Sequence, residues 1–469
     1  MVYSDLHPFN SIQFKNILTF NARPLWELHY LMELAILSRL GSNNNIYYGE
    51  CGASFDICGL NFEHKTEICQ SCLEMQKRGK NYLDVQIGNF YQVDFFEKYG
   101  NNEFSNIFND KDLSSIEKLS QIKYKEFEVG KAVINAIVPT YGVNCDFSNP
   151  QIIFFIKKWL TSAIEFYEST INIIKDRNIN LLLVFNGRFP HEAAMIASAN
   201  YCKIEFLVHE RGSTPKYIGA YLNDLPHHTW NTGRKAINIR LEDYSAEKIA
   251  LFREFAVKPH KSWSDQHFTQ LQVKSQIPQI EGKLITIFLS TEEEFVAVPG
   301  IPSEPRTIEV LETLLSKFKD IFAEYSIVIR DHPHSARFPL SHLYQKLDDK
   351  YKNVYYFPPA SEVDTYALVE RSELVMTFGS TVGLEALNVG KKVICLSGQC
   401  IYFVNMPGVL AFKVEVGTHE ELCKFISLPV SISDCQKTLL KLSAAYISND
   451  IYIKEISHVE GYSFKLDGF

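Results

Sequence analysis

A chain of 469 residues is too long for one ordinary hydrophobic core, so two large domains are expected. Its 46% hydrophobic and 22% charged residues are those of a globular protein, and a net charge of −8 excludes a general nucleic-acid-binding surface, so no nucleic acid is expected as a partner. No run of about 18 apolar residues occurs, which argues against a membrane-spanning helix. The start, MVYSDLHPFNSIQFK, lacks the charged head and apolar middle of a secretion signal, so a cytoplasmic location is expected, with peripheral association at the inner face of the membrane left open.

Residues 15–20 (KNILTF) read as a first strand. Residues 21–41 read as a helix with Leu25, Leu28, Leu31, Leu34, Ile36 and Leu40 on one side and Gly41 as its stop. A second strand at 45–48 completes an opening of the nucleotide-binding α/β kind, and the turn Asn21-Ala22-Arg23-Pro24 lies at the carboxyl edge of its sheet. Next come Cys51, Cys58, Cys69 and Cys72, spaced C-x6-C-x10-C-x2-C. Four thiolates so close in sequence can hold a tetrahedral Zn²⁺, with His64 as a spare ligand; the plain alternative is a loop of reduced thiols. Any such zinc is structural, because four cysteines close the coordination sphere. Disulfides are disfavoured in a chain without a secretion signal.

Residues 98–122 are polar and read as a surface excursion, followed by a long helix at 150–175. INLLLVFNGRFPHEAAMIASANYCKIEFLVHERGS then gives a strand at 180–185, a turn at 186–188, a helix near 190–200 and a strand at 203–208. Asn186, Arg188, His209 and Arg211 at these strand ends are candidates for binding an acceptor substrate, and Glu210 for acid–base work. A helix at 245–255 precedes a polar link, which sets the predicted domains at 1–278 and 279–469, with the last helix free to pack back on the first domain.

The second domain opens on a strand at 283–289 that ends in Ser290, Thr291 and Glu292. A helix at 304–323 and strands at 326–329, 354–357, 374–378 and 392–396 follow, alternating with helix-length segments. Strands and helices in alternation predict βαβ units and a parallel sheet, with ligands at the carboxyl ends of the strands. Helices at 419–427 and 434–448 end the pattern.

Two carboxyl ends carry the chemistry. Arg330-Asp331-His332-Pro333-His334 offers a guanidinium and two imidazoles, with Pro333 fixing the backbone beside His332. Gly379-Ser380-Thr381-Val382-Gly383-Leu384-Glu385 is a strand-to-helix turn with hydroxyls and backbone N–H groups, and Glu385 stands one turn into the helix, where it could accept from ribose hydroxyls. Together they suit an anionic group, most simply a phosphate. Ser290 and Thr291 face the same ligand if the strand order places them beside these loops.

HPH at 332–334 and GSTVGLEAL at 379–387 resemble the His-Pro and Ser/Thr motifs of bacterial capsule-polysaccharide glycosyltransferases, the Kdo transferases and polysialyltransferase-like enzymes that use CMP-activated sugars. The resemblance covers roughly 283–412 and, more loosely, FNGR and HERGS. It implies the GT-B architecture, two Rossmann-like α/β domains facing a cleft. It also implies His332, Ser380 and Thr381 on the nucleotide phosphate and Glu385 near the ribose; His334, Ser290 and Thr291, at the same strand ends, are further candidates for the donor. In the mechanism expected, Arg330 and His332 would stabilise the departing phosphate, and Glu210 or Glu292 would take the acceptor proton. The partners implied are a nucleotide-sugar donor and an oligosaccharide or glycolipid acceptor, in capsule or lipopolysaccharide synthesis. No catalytic metal is expected, since no DxD motif suits a metal-bound donor. A sugar-nucleotide epimerase, a polyol-phosphate transferase and an inactive nucleotide-sugar-binding assembly subunit are the alternatives.

Overall fold

The computed structural model describes residues 15–20, 33, 36–37, 40, 44–51, 55–59, 61–63, 65–87, 89–95, 104, 108–211, 217–226, 230–257, 279–294, 296–298, 306–333, 335, 340–398, 403–447 and 450–452. It is α/β throughout and divides into two compact units, each built on a Rossmann-like sheet. Among the described residues no helix is long and apolar enough to cross a membrane.

The first unit holds strands β1 (Asn16–Phe20), β2 (Asn45–Glu50), β3 (Asn89–Asp94), β4 (Leu181–Phe185), β5 (Glu205–Arg211) and β6 (Tyr217–Leu222). Their order is β6-β5-β4-β1-β2-β3; the five from β5 to β3 are parallel, and β6 returns antiparallel along β5. The central strands β1 and β4 are largely apolar runs because both faces are covered. Helix Pro150–Asp176 starts where Asn149 accepts from the Gln151 N–H at 2.9 Å with Pro150 in the first turn. Ile152, Phe155, Ile156, Trp159, Leu160, Ala163 and Ile164 recur at helical spacing on its buried side. Phe166 carries that face into an aromatic cluster with Phe20, Phe55 and Phe95.

The second unit holds β7 (Lys283–Phe288), β8 (Tyr325–Arg330), β9 (Val354–Phe357), β10 (Leu374–Thr377), β11 (Lys392–Cys395) and β12 (Val409–Ala411), all parallel, in the order β12-β11-β10-β7-β8-β9. Counted within this sheet the order is 3-2-1-4-5-6, the doubly wound dinucleotide-binding arrangement. Side-chain alternation sends Ile285, Ile287, Ile327 and Ile329 to one face, under helix Thr307–Lys317, and Leu284, Phe288 and Val328 to the other. The chain then closes on the first unit, where β13 (Asp450–Tyr452) pairs antiparallel with β6.

Several expectations change here. Residues 230–257 belong to the second unit, so the division falls after Pro226 rather than at 278. Helices Trp230–Asn238 and Ala246–Val257 bury Ala236 and Phe252 against residues of helix Ile432–Ile447, a long-range contact with no local signal. That last helix stays with the second unit; what rejoins the first is β13, along with 296–298, where the Asn135 side-chain amide donates to the Ala297 carbonyl. The stretch read as a surface excursion carries helix Ile116–Ser120 and buries Leu113 and Leu119. Helix Thr66–Ile87 and strands β3 and β12 were not foreseen. The predicted turn at 21–24, together with His64 and His334, lies outside the described residues.

Candidate functional site

The register of the second sheet brings Phe288 of β7 level with Arg330 of β8 and Thr377 of β10. β7 is therefore the middle strand of three that end abreast, and the loops at 289–291, 331–333 and 378–381 leave one rim side by side. At about 4.8 Å per strand spacing, the outer two exits stand about 10 Å apart. The boundary between β7 and β10 is also where the strand order reverses, the crevice in which such sheets bind ligands.

At the β8 exit Arg330 and Asp331 are each only 2% exposed. Arg330 Nη1 donates to the carbonyls of Pro358 (2.7 Å) and Asp331 (3.1 Å), while Nε and Nη2 are buried without a hydrogen-bond partner. Arg330, expected to touch the departing phosphate, thus braces the rim from inside, and burial lowers its pKa. Asp331 accepts from the Tyr356 hydroxyl at 2.9 Å and the His332 N–H at 2.7 Å. Burial raises its carboxyl above the usual range despite those donors and the nearby Arg330 charge. The result is a fixed loop carrying a half-buried His332.

At the β10 exit the buried hydroxyl of Thr377 accepts from the N–H groups of Gly379 (3.2 Å) and Ser380 (3.0 Å). Gly379 has φ +146°, a conformation glycine adopts readily. Ser380 Oγ accepts from the Val382 N–H at 3.4 Å. The backbone N–H groups expected to be open to a ligand at 380 and 382 are thus turned inward, and the hydroxyls of half-buried Ser380 and exposed Thr381 form the outer surface of the turn. Glu385 is buried, and its charge is one cause, after burial itself, of the raised pKa of Tyr366. Between the two loops, Ser290 Oγ is buried without a hydrogen-bond partner and Thr291 is buried beside it. Glu292 caps the next helix, accepting from the Thr307 N–H (3.1 Å) and from Arg306 (3.4 Å).

In the first unit Asn186 and Gly187 follow β4 with φ +60° and +83°. The Asn186 N–H donates to the His209 carbonyl at 2.9 Å, and its side-chain amide donates to Glu210 Oε2. Arg188 sets its guanidinium 5.0 Å from the Phe189 ring centre. His209 was expected at a strand end as a substrate-binding group. It lies within β5, which runs on to Arg211 with β6 alongside, and its ring is wholly buried 3.6 Å from an equally buried Glu33. The sole DxD triplet, Asp110-Lys111-Asp112, forms an exposed 3-10 turn where Asp110 pairs with Lys157. The four clustered cysteines are all half-buried.

Tyr356, Thr377 and Asn186 organise these loops. Only Asn186 stood out in the sequence, as a ligand-binding residue; nothing local marks a strand tyrosine or threonine as a loop anchor.

Residues 300–411 match the family described as capsule polysaccharide biosynthesis protein. No curated protein matches. Similar solved structures include the UDP-GlcNAc 2-epimerase of Neisseria meningitidis bound to UDP-GlcNAc, at 13% identity over 94% of this chain and 98% of that one, TM-score 0.31. Another is KpsC of Thermosulfurimonas dismutans, a beta Kdo 2,4 transferase, at 13% identity over 59% and 86%, TM-score 0.34. A third is the S. aureus MnaA–UDP co-structure, at 10% identity over 94% and 95%, TM-score 0.30. Likenesses of this size carry no functional weight. The matched segment lies almost wholly in the second unit and includes the loops after both β8 and β10.

Proposed function

We propose that the chain is a glycosyltransferase of capsule-type polysaccharide synthesis. It moves a sugar from a nucleotide-activated donor, CMP-Kdo or a similar CMP-sugar, to an oligosaccharide or glycolipid acceptor without a catalytic metal. The observation that supports this reading is the row of adjacent exits at 289–291, 331–333 and 378–381 on the switch-point rim of a doubly wound sheet, two of them inside the capsule-type segment. In this reading the donor phosphate lies against His332 and the hydroxyls of Ser380 and Thr381. Glu385 serves the nucleoside end, and Arg330 adds positive potential from beneath the loop. As the bond from the sugar to phosphate oxygen breaks, charge grows on that oxygen and the His332 imidazole stabilises it. Glu210, held by Asn186, takes the proton of the acceptor hydroxyl.

Removing one such donor costs about 3–4 kcal/mol in the barrier, a loss of 10²- to 10³-fold in rate. His332→Ala should therefore lose transfer by that factor while its unfolding curve stays that of the wild type; wild-type turnover refutes the assignment. A thermal-shift screen of CMP, UDP, GDP, CDP and TDP identifies the donor base, because a ligand that binds only the folded state raises apparent stability. Turnover of UDP-N-acetylhexosamine with no acceptor present would replace this reading with an epimerase.

A further inference from the structure

We propose that Asn16, Asn45, Asn89, Tyr47 and Tyr91 form a carbohydrate-binding surface on the first unit, remote from Glu210 and suited to a long acceptor glycan. That the glycan is the acceptor rests on the sugar-transfer reading; the surface itself does not. A parallel strand covered on both faces is apolar along its length. β1, β2 and β3 depart from that at their amino ends. The register sets Asn16, Asn45 and Asn89 level with one another and, two residues on, Tyr47 level with Tyr91. Side chains two apart on a strand share a face, so the three amides and two rings make one contiguous array.

Hydrogen bonds lock the amide row. Asn16 Nδ2 donates to the carbonyls of Arg177 and Asn178, both at 3.1 Å. Asn45 Nδ2 donates to Asn16 Oδ1 at 2.8 Å, and Asn89 Nδ2 to Asn45 Oδ1 at 3.2 Å. The two tyrosine rings stack, with 5.1 Å between centroids and 22° between planes. Asn89 is exposed, Asn16, Asn45 and Tyr47 are half-buried, and Tyr91 on the edge strand is 46% exposed. Further along the same face Val93 is buried and Phe95 closes over Gly49, so the array stops there.

None of the five side chains is charged, so the array matches neither a phosphate nor a cation. Amides both donate and accept, as sugar hydroxyls do. The flat face of a tyrosine ring takes the C–H face of a pyranose. Because the row and the stack are fixed beforehand, binding costs the protein little ordering. Tyr47 is level with Phe206, four residues before Glu210 on β5 and three strands away. At about 3.3 Å per residue and about 4.8 Å per strand, the tyrosines stand roughly 20 Å from Glu210. A short acceptor at Glu210 does not reach the array, whereas a long chain does.

The test is binding of the full-length chain, with no nucleotide sugar present, to an array of bacterial capsule and lipopolysaccharide fragments ranging from disaccharides to long oligosaccharides. The wild type is expected to bind the long fragments. Tyr91→Ala should weaken that binding about 10-fold. Tyr91→Phe, which keeps the ring, and Tyr201→Ala, an exposed tyrosine elsewhere on the first unit, should leave it unchanged. A wild type that binds no fragment overturns the proposal, as does unchanged binding by Tyr91→Ala. So does a wild-type dimer that Tyr91→Ala dissolves, because the edge strand β3 then pairs with a second copy. Array binding without transfer from any donor sinks the sugar-transfer reading alone, and transfer with binding indifferent to Tyr91 sinks this inference alone.

Discussion

Gly187→Ala should destabilise the first unit by about 2–5 kcal/mol. Gly187 sits at φ +83°, and a Cβ there would come within 2.6 Å of Leu225 Cδ2 and 2.7 Å of Ile196 Cδ1. The left-handed conformation costs an L-residue about 1–2 kcal/mol. Forcing a methyl into a filled space adds about 1–3 kcal/mol. Gly282 provides the control: its φ is +82°, but nothing lies within 4 Å of the added Cβ, so only the first cost applies. Urea unfolding of both variants separates the two contributions, provided the slope with denaturant is unchanged. Equal losses for the two, or a loss below about 0.5 kcal/mol for Gly187→Ala, would refute the claim that the turn under Glu210 is packed around a missing side chain.

Asn186→Gly keeps the left-handed backbone but removes the amide that holds Glu210. The fold should survive while transfer slows by about 10- to 100-fold, and unchanged transfer would show that Glu210 needs no such partner. Asp331→Asn tests a pH effect. A folded pKa raised above the ordinary 3.8 means that the contribution of this carboxyl to stability is full below the unfolded pKa and is lost as pH rises through the folded one. The stability of wild type minus variant, followed by urea unfolding at a series of pH values, should fall across that window; a flat difference counts against a buried, proton-retaining Asp331. Lys392 Nζ donates to the carbonyls of Phe425, Ile426 and Leu428 at the end of helix His419–Ser427. Lys392→Met should lower the unfolding free energy of the second unit by about 1–3 kcal/mol through those unsatisfied carbonyls, and an unshifted urea midpoint would contradict this.

The parallel sheets were legible because strand runs such as Leu181–Phe185 and Leu374–Thr377 are locally apolar and end in turn residues. The His-Pro and Gly-Ser-Thr loops were legible for the same reason, since their placement after strands is a property of neighbouring residues. What those side chains face was not. His209 and Glu210 look alike as polar residues near a strand end, yet alternation and the cover of β6 bury one and leave the other half-exposed. Arg330 reads as a surface cation until Pro358, 28 residues later, supplies the carbonyl that holds it inside.

Local order along the chain was thus enough to determine two α/β units and the loops that carry polar chemistry, because periodicity and turn composition are short-range. Only the tertiary structure decided that β7 separates β8 from β10, that Thr377 takes up the Gly379 and Ser380 amides, and that residues 230–257 join the second unit. Each of these depends on which distant segments share a strand edge or a buried face, and pairings between remote segments leave no mark in either segment alone.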